Sequence, residues 1–256
     1  MPDGQKSIFI TGVGSGIGRA TALFFAKRGW LVAGYDVNQD GLTALQSEGI
    51  NGIFERLDVS DPDAVREAVG RFGNITQGRL DLLFNNAGID AKGPFAEMPW
   101  ERIEQVVSVN LIGGLALIKA AFPLLANTPG SICLSTASAS AIVGAPGRAV
   151  YSATKHALKG LTEALSVEFA SAGVRAADLL PGIIDTGMLS DKSKAMLPSQ
   201  GMWRPLPASA VAEAVWAAYE GSGLHVYVPE ELSALVLEAA SQPEAIRDRR
   251  IAGSVF

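Results

Sequence analysis

Short apolar runs of four to six residues alternate along this chain with longer stretches in which apolar side chains recur every three or four positions. Ser7-Ile8-Phe9-Ile10-Thr11 has the pattern of a strand buried on both faces. Behind it, residues 17–28 carry Ala20, Leu23, Phe24 and Lys27 at helical spacing, and Gly29 ends the run. The same alternation continues to the end. It predicts strands over 31–35, within 53–59, and over 80–84, 131–134, 174–180 and 225–228. It predicts helices over 39–48, 61–72, 99–125, 151–171 and 208–219.

Strands separated by helices at this pitch run parallel, joined by right-handed crossovers, with helices on both faces of the sheet. No linker, shift of composition or internal repeat divides residues 1–256, so a single doubly wound α/β domain is expected. Ligands in such sheets bind beyond the carboxyl ends of the strands. The strand ends are therefore where chemistry is sought.

Composition removes several classes of function. The 256 residues are 48% apolar, too many for a disordered chain. One cysteine, Cys133, excludes a disulfide scaffold and a cysteine-based zinc site, and no metal is expected. A net charge of −5 lacks the basic excess of a nucleic-acid protein. No uninterrupted apolar run approaches the roughly 18 residues of a membrane span. The segment Met1-Pro2-Asp3-Gly4-Gln5-Lys6 has no signal-peptide pattern, so a cytoplasmic protein is expected.

Strand one leads into Thr11-Gly12-Val13-Gly14-Ser15-Gly16-Ile17-Gly18. Glycines let a backbone turn tightly and approach a ligand closely. The helix that follows offers unpaired N–H groups and a positive dipole to a pyrophosphate. Gly12, Gly16 and Gly18 form G-x-x-x-G-x-G, and no Lys-Ser/Thr pair follows, which excludes a phosphate-loop NTPase. Asp36 ends strand two, eighteen residues beyond Gly18. A carboxylate there accepts hydrogen bonds from an adenosine ribose and repels a 2′-phosphate. With Val37-Asn38 next and no Arg or Lys beside it, NAD is expected over NADP.

Asp58-Val59 follows strand three and Asn85-Asn86-Ala87-Gly88 follows strand four. Both suit a cofactor crevice, and both are also ordinary turn chemistry. Asn110 lies on the apolar stripe of Ile103, Val106 and Val107, where a polar amide must find hydrogen bonds. It is either a satisfied core residue or the holder of a water or catalytic group. Tyr151 and Lys155, four apart, share one helix face. An ammonium beside a phenol favours phenolate, lowering a pKa of about 10 toward the useful range for proton transfer.

This combination resembles the short-chain dehydrogenase/reductase family, in its short single-domain branch. The resemblance rests on the TGVGSGIG turn, NNAG at 85–88, Asn110, Y-S-A-T-K at 151–155 and Pro181-Gly182-Ile183-Ile184-Asp185-Thr186, and it runs from Thr11 to about Val228. It implies a Rossmann fold with a mostly parallel seven-stranded sheet. It implies Tyr151 as general acid/base and Lys155 as the group that tunes it and holds the nicotinamide ribose. Ser138 would hydrogen-bond the substrate oxygen, and Asn110 would fix a water that relays protons toward Lys155. Ser135, Ser138 and Ser140 all lie in reach of that serine role, and the family pattern points to Ser138, thirteen residues before Tyr151.

The same resemblance implies a cofactor site of Gly12, Ser15, Gly16, Ile17, Gly18, Asp36, Asp58, Val59, Asn86, Ala87, Gly88, Tyr151, Lys155, Pro181, Ile184 and Thr186. It also implies a homodimer or homotetramer. His156 and His225 read as surface or packing residues.

Residues 187–204 include Met188, Leu189, Met196, Leu197, Met202 and Trp203, which suits an apolar lid over the substrate. No arginine cluster there calls for a phosphorylated or carrier-bound substrate. The expected reaction is an NAD-dependent interconversion of an uncharged, moderately apolar secondary alcohol and its ketone. An NADP-dependent 3-oxoacyl ketoreductase and a non-catalytic NAD-binding regulator are the alternatives. Residues 230–256 exceed what the sheet needs, and their apolar end is expected to pack on a neighbouring subunit.

Overall fold

The computed structural model of the chain describes residues 4–187 and 197–252. Its strands are β1 (Ser7–Thr11), β2 (Leu31–Asp36), β3 (Gly52–Arg56), β4 (Leu82–Asn85), β5 (Ile132–Thr136), β6 (Arg175–Pro181), β7 (Ile184–Asp185), β8 (Leu206–Pro207) and β9 (His225–Val228). Seven of them form one sheet in the order β3-β2-β1-β4-β5-β6-β9, every neighbour parallel. The order reverses between β1 and β4, and the crevice at that reversal is the ligand position of a doubly wound sheet.

Side chains alternate across each strand, so the sheet feeds two cores. Ile8, Ile10, Val32, Leu82, Phe84 and Leu134 face one layer. There they meet Phe25 of α1 (Gly16–Ala26), Leu42 and Leu45 of α2 (Gln39–Gln46), and Val211 and Val215 of the helix Ala208–Glu220. Phe9, Ala33, Tyr35, Leu83 and Cys133 face the other layer. They meet Val65, Val69 and Phe72 of α3 (Pro62–Ile75) and, beyond α4 (Trp100–Val107), Leu117, Ala121 and Leu125 of α5 (Gly113–Ala126). Phe9 stacks on Tyr35 at 4.4 Å and meets Phe72 edge-on at 5.4 Å. Burying one such side chain contributes about 1.5–3 kcal/mol. Burial pushes the Cys133 thiol up to about 12, so it is an inert core residue.

Local chemistry sets the helix starts. Asp61 accepts from the N–H groups of Asp63 and Ala64 with Pro62 at the first turn of α3, and Asn38 accepts from Gly41 at α2. The helix expected over 99–125 is divided by a π-helical turn, Ser108–Ile112, between α4 and α5. The run Trp100–Ala126 also has the length and hydropathy of a membrane span, with a mean hydropathy of 1.8. Counting uninterrupted apolar residues does not register this. Here Val106, Gly113, Gly114, Leu117, Ile118, Ala121 and Leu125 along it are buried within the fold.

Next come α6 (Ala149–Glu168) and α7 (Ala208–Glu220), the latter already met in the first core. Strands β7 and β8 form a two-stranded ribbon that no periodicity announces, because each is two residues long. It brackets the expected lid. Met188, Leu189 and Met196 lie outside the described residues, while Leu197, Met202 and Trp203 are half-buried. The extension beyond residue 230 forms α8 (Ser233–Ser241) and α9 (Pro243–Ile251). Leu232, Leu235 and Ile246 are buried in the chain's own fold, and the Arg250 guanidinium donates to the Gly144 carbonyl. Within the described part of the extension these residues are held by the chain's own fold, while Leu237 and Ile251 are exposed. Residues 253–256 lie outside the described ones.

Candidate active site

The glycine turn lies at the carboxyl end of β1. A Cβ on Gly18 would come within 2.0 Å of the Gly12 carbonyl oxygen, so only glycine lets α1 start this close to the strand. Gly14 lies against Asp36: its N–H donates to Oδ2 at 2.8 Å, and a Cβ there would sit 2.9 Å from the carboxylate carbon. Asn38 N–H donates to the other oxygen at 2.8 Å. Each Asp36 oxygen therefore holds one backbone donor and keeps a lone pair for a further hydroxyl. Ser15 caps α1 with no side-chain bond to the helix, so its hydroxyl is not spent on the helix start. Ile17 packs partly into the core, Thr186 lies against Gly16, and Ile184 is buried in the first core, so Ile184 presents only backbone. Pro181 is buried at the end of β6. Arg19, the cation of the first α1 turn, is paired with Glu48. A cradle that a Cβ would fill and a carboxylate at the β2 end fit a nicotinamide dinucleotide.

Asp58 follows β3, and its Oδ1 accepts from the N–H and hydroxyl of Ser60. Val59 beside it is buried. Asn86 is committed to the scaffold. Its amide donates to the Thr11 carbonyl at 2.9 Å and accepts from the Thr136 hydroxyl at 3.1 Å, tying the ends of β1, β4 and β5 together. Ala87 N–H donates to the Thr11 hydroxyl at 3.1 Å. Gly88 leaves room for Lys155, whose Nζ would lie 3.5 Å from a Cβ at that position.

Asn110 sits in the π turn and is 1% exposed. Its Oδ1 accepts from Ile89 N–H at 2.8 Å. Its Nδ2 donates to the Ile89 carbonyl at 2.9 Å and to the Thr154 hydroxyl at 3.2 Å. Both amide protons are engaged, so the side chain acts as a clamp on the loop after β4. Thr154 in turn donates to the Tyr151 carbonyl at 2.8 Å.

Among the three candidate serines, the fold brings Ser138 to Tyr151, hydroxyl to hydroxyl. Ser138 also caps a short 3₁₀ turn and accepts from Ser140 N–H at 3.1 Å. Ser135 lies within β5 and accepts from the Asn85 amide at 3.4 Å, away from that pair.

Lys155 is buried, donates from Nζ to the Thr136 carbonyl at 2.7 Å, and lies 5.6 Å from the centre of the Tyr151 ring. Burial pushes its pKa down to about 8. The Tyr151 phenol is held above its ordinary range, first by burial and also by the Asp90 charge, while the Ser138 hydrogen bond and Arg148 pull it down. The expected lowering by Lys155 is absent in the chain alone. Its ammonium faces the ring and the Thr136 carbonyl, and the opposing effect of desolvation dominates.

A family model described as short chain dehydrogenase matches residues 6–197. The chain belongs to the short-chain dehydrogenase family. It is 34% identical over 225 residues, 82% of this chain and 88% of the relative, to a 2,5-dichloro-2,5-cyclohexadiene-1,4-diol dehydrogenase of Sphingobium indicum. Levodione reductase shares its fold with a TM-score of 0.80 at 28% identity, covering 87% of this chain and 95% of that one. A 3-ketoacyl-(acyl-carrier-protein) reductase from Brucella melitensis, solved with NADH, gives 0.78 at 29% identity, covering 87% and 96%. The short-chain dehydrogenase fold thus holds over most of the length, and the chain is an oxidoreductase of that family.

Several residues at this short-chain dehydrogenase site carry roles that their sequence motifs did not assign. Thr11 joins the ends of β1 and β4, Thr136 links β5 to Asn86 and to Lys155 of α6, and Thr154 ties α6 to Asn110. Gly14 supports Asp36. Asp90 and Arg148 flank Tyr151, paired at 3.2 Å across two loops far apart in sequence.

Proposed function

We propose that this short-chain dehydrogenase interconverts a secondary alcohol and its ketone with NAD, on an uncharged, moderately apolar substrate. The Ser138–Tyr151 hydroxyl pair beside buried Lys155 carries this reading. Bound NAD supplies the acceptor or donor of hydride. The residues that would hold it are the glycine turn, Asp36, Asp58-Val59, Asn86 to Gly88, Lys155 and the segment from Pro181 to Thr186. The Tyr151 Oη holds the proton exchanged with the substrate oxygen. Ser138, with its oxygen already accepting from Ser140, donates its own proton toward Tyr151 and toward a substrate oxygen placed between them. Lys155, 5.6 Å from the centre of the Tyr151 ring, would hold the nicotinamide ribose beside it. Asp36 favours NAD over NADP and so counts against an NADP-dependent 3-oxoacyl reductase. A homo-oligomeric enzyme of the cytoplasm belongs to the same proposal.

A panel of secondary alcohols and ketones with NAD(H) and NADP(H) tests it, run on the wild type and on Tyr151→Phe. Turnover with NAD(H) that falls by about 10²-fold or more in the variant is expected. Preference for NADP(H) would sink the cofactor assignment. Turnover surviving in Tyr151→Phe would sink the acid/base assignment. NADH binding without turnover of any substrate would favour a regulator.

A further inference from the structure

The peptide joining Thr136 to Ala137 closes β5. Its N–H donates to the Leu179 carbonyl of β6 at 2.8 Å. A trans peptide turns its carbonyl the opposite way, here toward β4. Pairing between β4 and β5 ends at Asn85 and Ser135. The next two N–H groups, of Asn86 and Ala87, both donate to the Thr11 hydroxyl at 3.1 Å. The Thr136 carbonyl is thereby left out of the ladder, and Lys155 Nζ takes the place of a strand donor at 2.7 Å. Among the described residues this carbonyl is the acceptor that the buried ammonium finds, so it sets where Nζ lies. An ammonium has three protons, which leaves two for hydroxyls of a ligand.

The side chain of the same residue reaches the cofactor turn. The Thr136 hydroxyl donates to Asn86 Oδ1 at 3.1 Å, and Asn86 Nδ2 donates to the Thr11 carbonyl at 2.9 Å. A Cβ on Gly12 or Gly18 would lie 3.0 or 2.9 Å from that Nδ2, so the amide is pressed against the glycine turn. Valine would suit a buried strand end as well as threonine does, so the hydroxyl is explained by the bond to Asn86 rather than by the strand. We propose that Thr136 is a positioning residue: anchored to the glycine turn through Asn86, it holds Lys155 where that ammonium meets the nicotinamide ribose. This inference rests on the reading above in which Lys155 holds the ribose, and it adds what fixes Lys155 in place.

The test is a double-mutant cycle read by cofactor binding alone. The wild type, Thr136→Val, Thr136→Ser, Lys155→Met and the Thr136→Val/Lys155→Met double variant are titrated with NADH and with NADPH by fluorescence. The tighter cofactor carries the comparison, and thermal melting confirms that each protein is folded. Thr136→Val is expected to raise Kd by about threefold or more, the effect of one hydrogen bond. Thr136→Ser, which keeps the hydroxyl, is expected to stay within about twofold of the wild type. In the Lys155→Met background, Thr136→Val is expected to change Kd by less than about twofold. An equal loss in both backgrounds overturns the assignment, because the threonine then acts on the turn and not through Lys155. An unchanged Kd in Thr136→Val overturns it as well, as does a Thr136→Ser variant that loses as much as Thr136→Val. Should Thr136→Val not fold, Thr136→Ala removes the same hydroxyl and takes its place in the cycle. Lys155→Met binding as tightly as the wild type overturns the cofactor role of Lys155 and this inference with it. Binding of neither cofactor to the wild type removes the dehydrogenase reading itself.

Discussion

Lys155 holds an ammonium in the interior with the Thr136 carbonyl as acceptor, and burial lowers its pKa to about 8. The unfolded chain keeps that proton to about pH 10.5. Between these values the unfolded state binds more protons, so the cost of burying this residue is full below pH 8 and is relieved as pH rises from 8 to 10.5. The stability of the wild type relative to Lys155→Met should therefore rise by about 3 kcal/mol from pH 8 to 10.5. Urea denaturation of both proteins across that range measures it, and a constant difference would mean that the ammonium is not desolvated. Tyr151 and Lys155 were legible because a spacing of four on a helix forces one face. The choice among Ser135, Ser138 and Ser140 was not, because all three sit where β5 gives way to a loop and only the path of that loop decides which hydroxyl meets Tyr151. The role of Thr136 was invisible for a similar reason: it comes from Asn86 and Lys155, 50 and 19 residues away.

The π turn between α4 and α5 places Asn110 against Ile89. Apolar periodicity put Asn110 on the buried stripe, and it is buried. The same periodicity reads one continuous helix, since a single turn with i→i+5 bonds shifts no apolar position enough to be seen. Asn110→Leu keeps the size of the side chain and removes its bonds to both backbone groups of Ile89. Two unsatisfied groups cost about 2–4 kcal/mol together. Chemical denaturation should show that loss, and a change below about 0.5 kcal/mol would mean that water replaces the amide. The two-residue strands β7 and β8 lie beyond any periodic reading, because their pairing joins segments about twenty residues apart.

Across the molecule, α9 returns from the chain's far end to the loop before Tyr151 through Arg250 and the Gly144 carbonyl. That loop carries Arg148 and leads into α6, so the extension supports the segment just before Tyr151. A chain ended after Gln242 should bind NADH within about twofold of the wild type, by fluorescence titration. Its KM for an alcohol substrate should rise by about threefold or more, because small misplacements near a reacting centre are amplified. An unchanged KM would show that α9 does not hold this loop.

The parallel sheet, its order of elements and the turn that follows β1 were all readable from residue order. Burial on both faces writes itself as short apolar runs, and a tight turn at a helix start demands glycine. Asp36 was readable too, because a strand end is a position that sequence can count. Which serine faces Tyr151, which carbonyl receives Lys155, and where the last helix comes to rest depend on contacts between segments distant along the chain. Those contacts are made by packing two layers onto one sheet, and no local pattern records them. The pKa of Tyr151 belongs there as well. Proximity to Lys155 was visible in the spacing, but desolvation, which outweighs it, exists only once the fold has closed around the phenol.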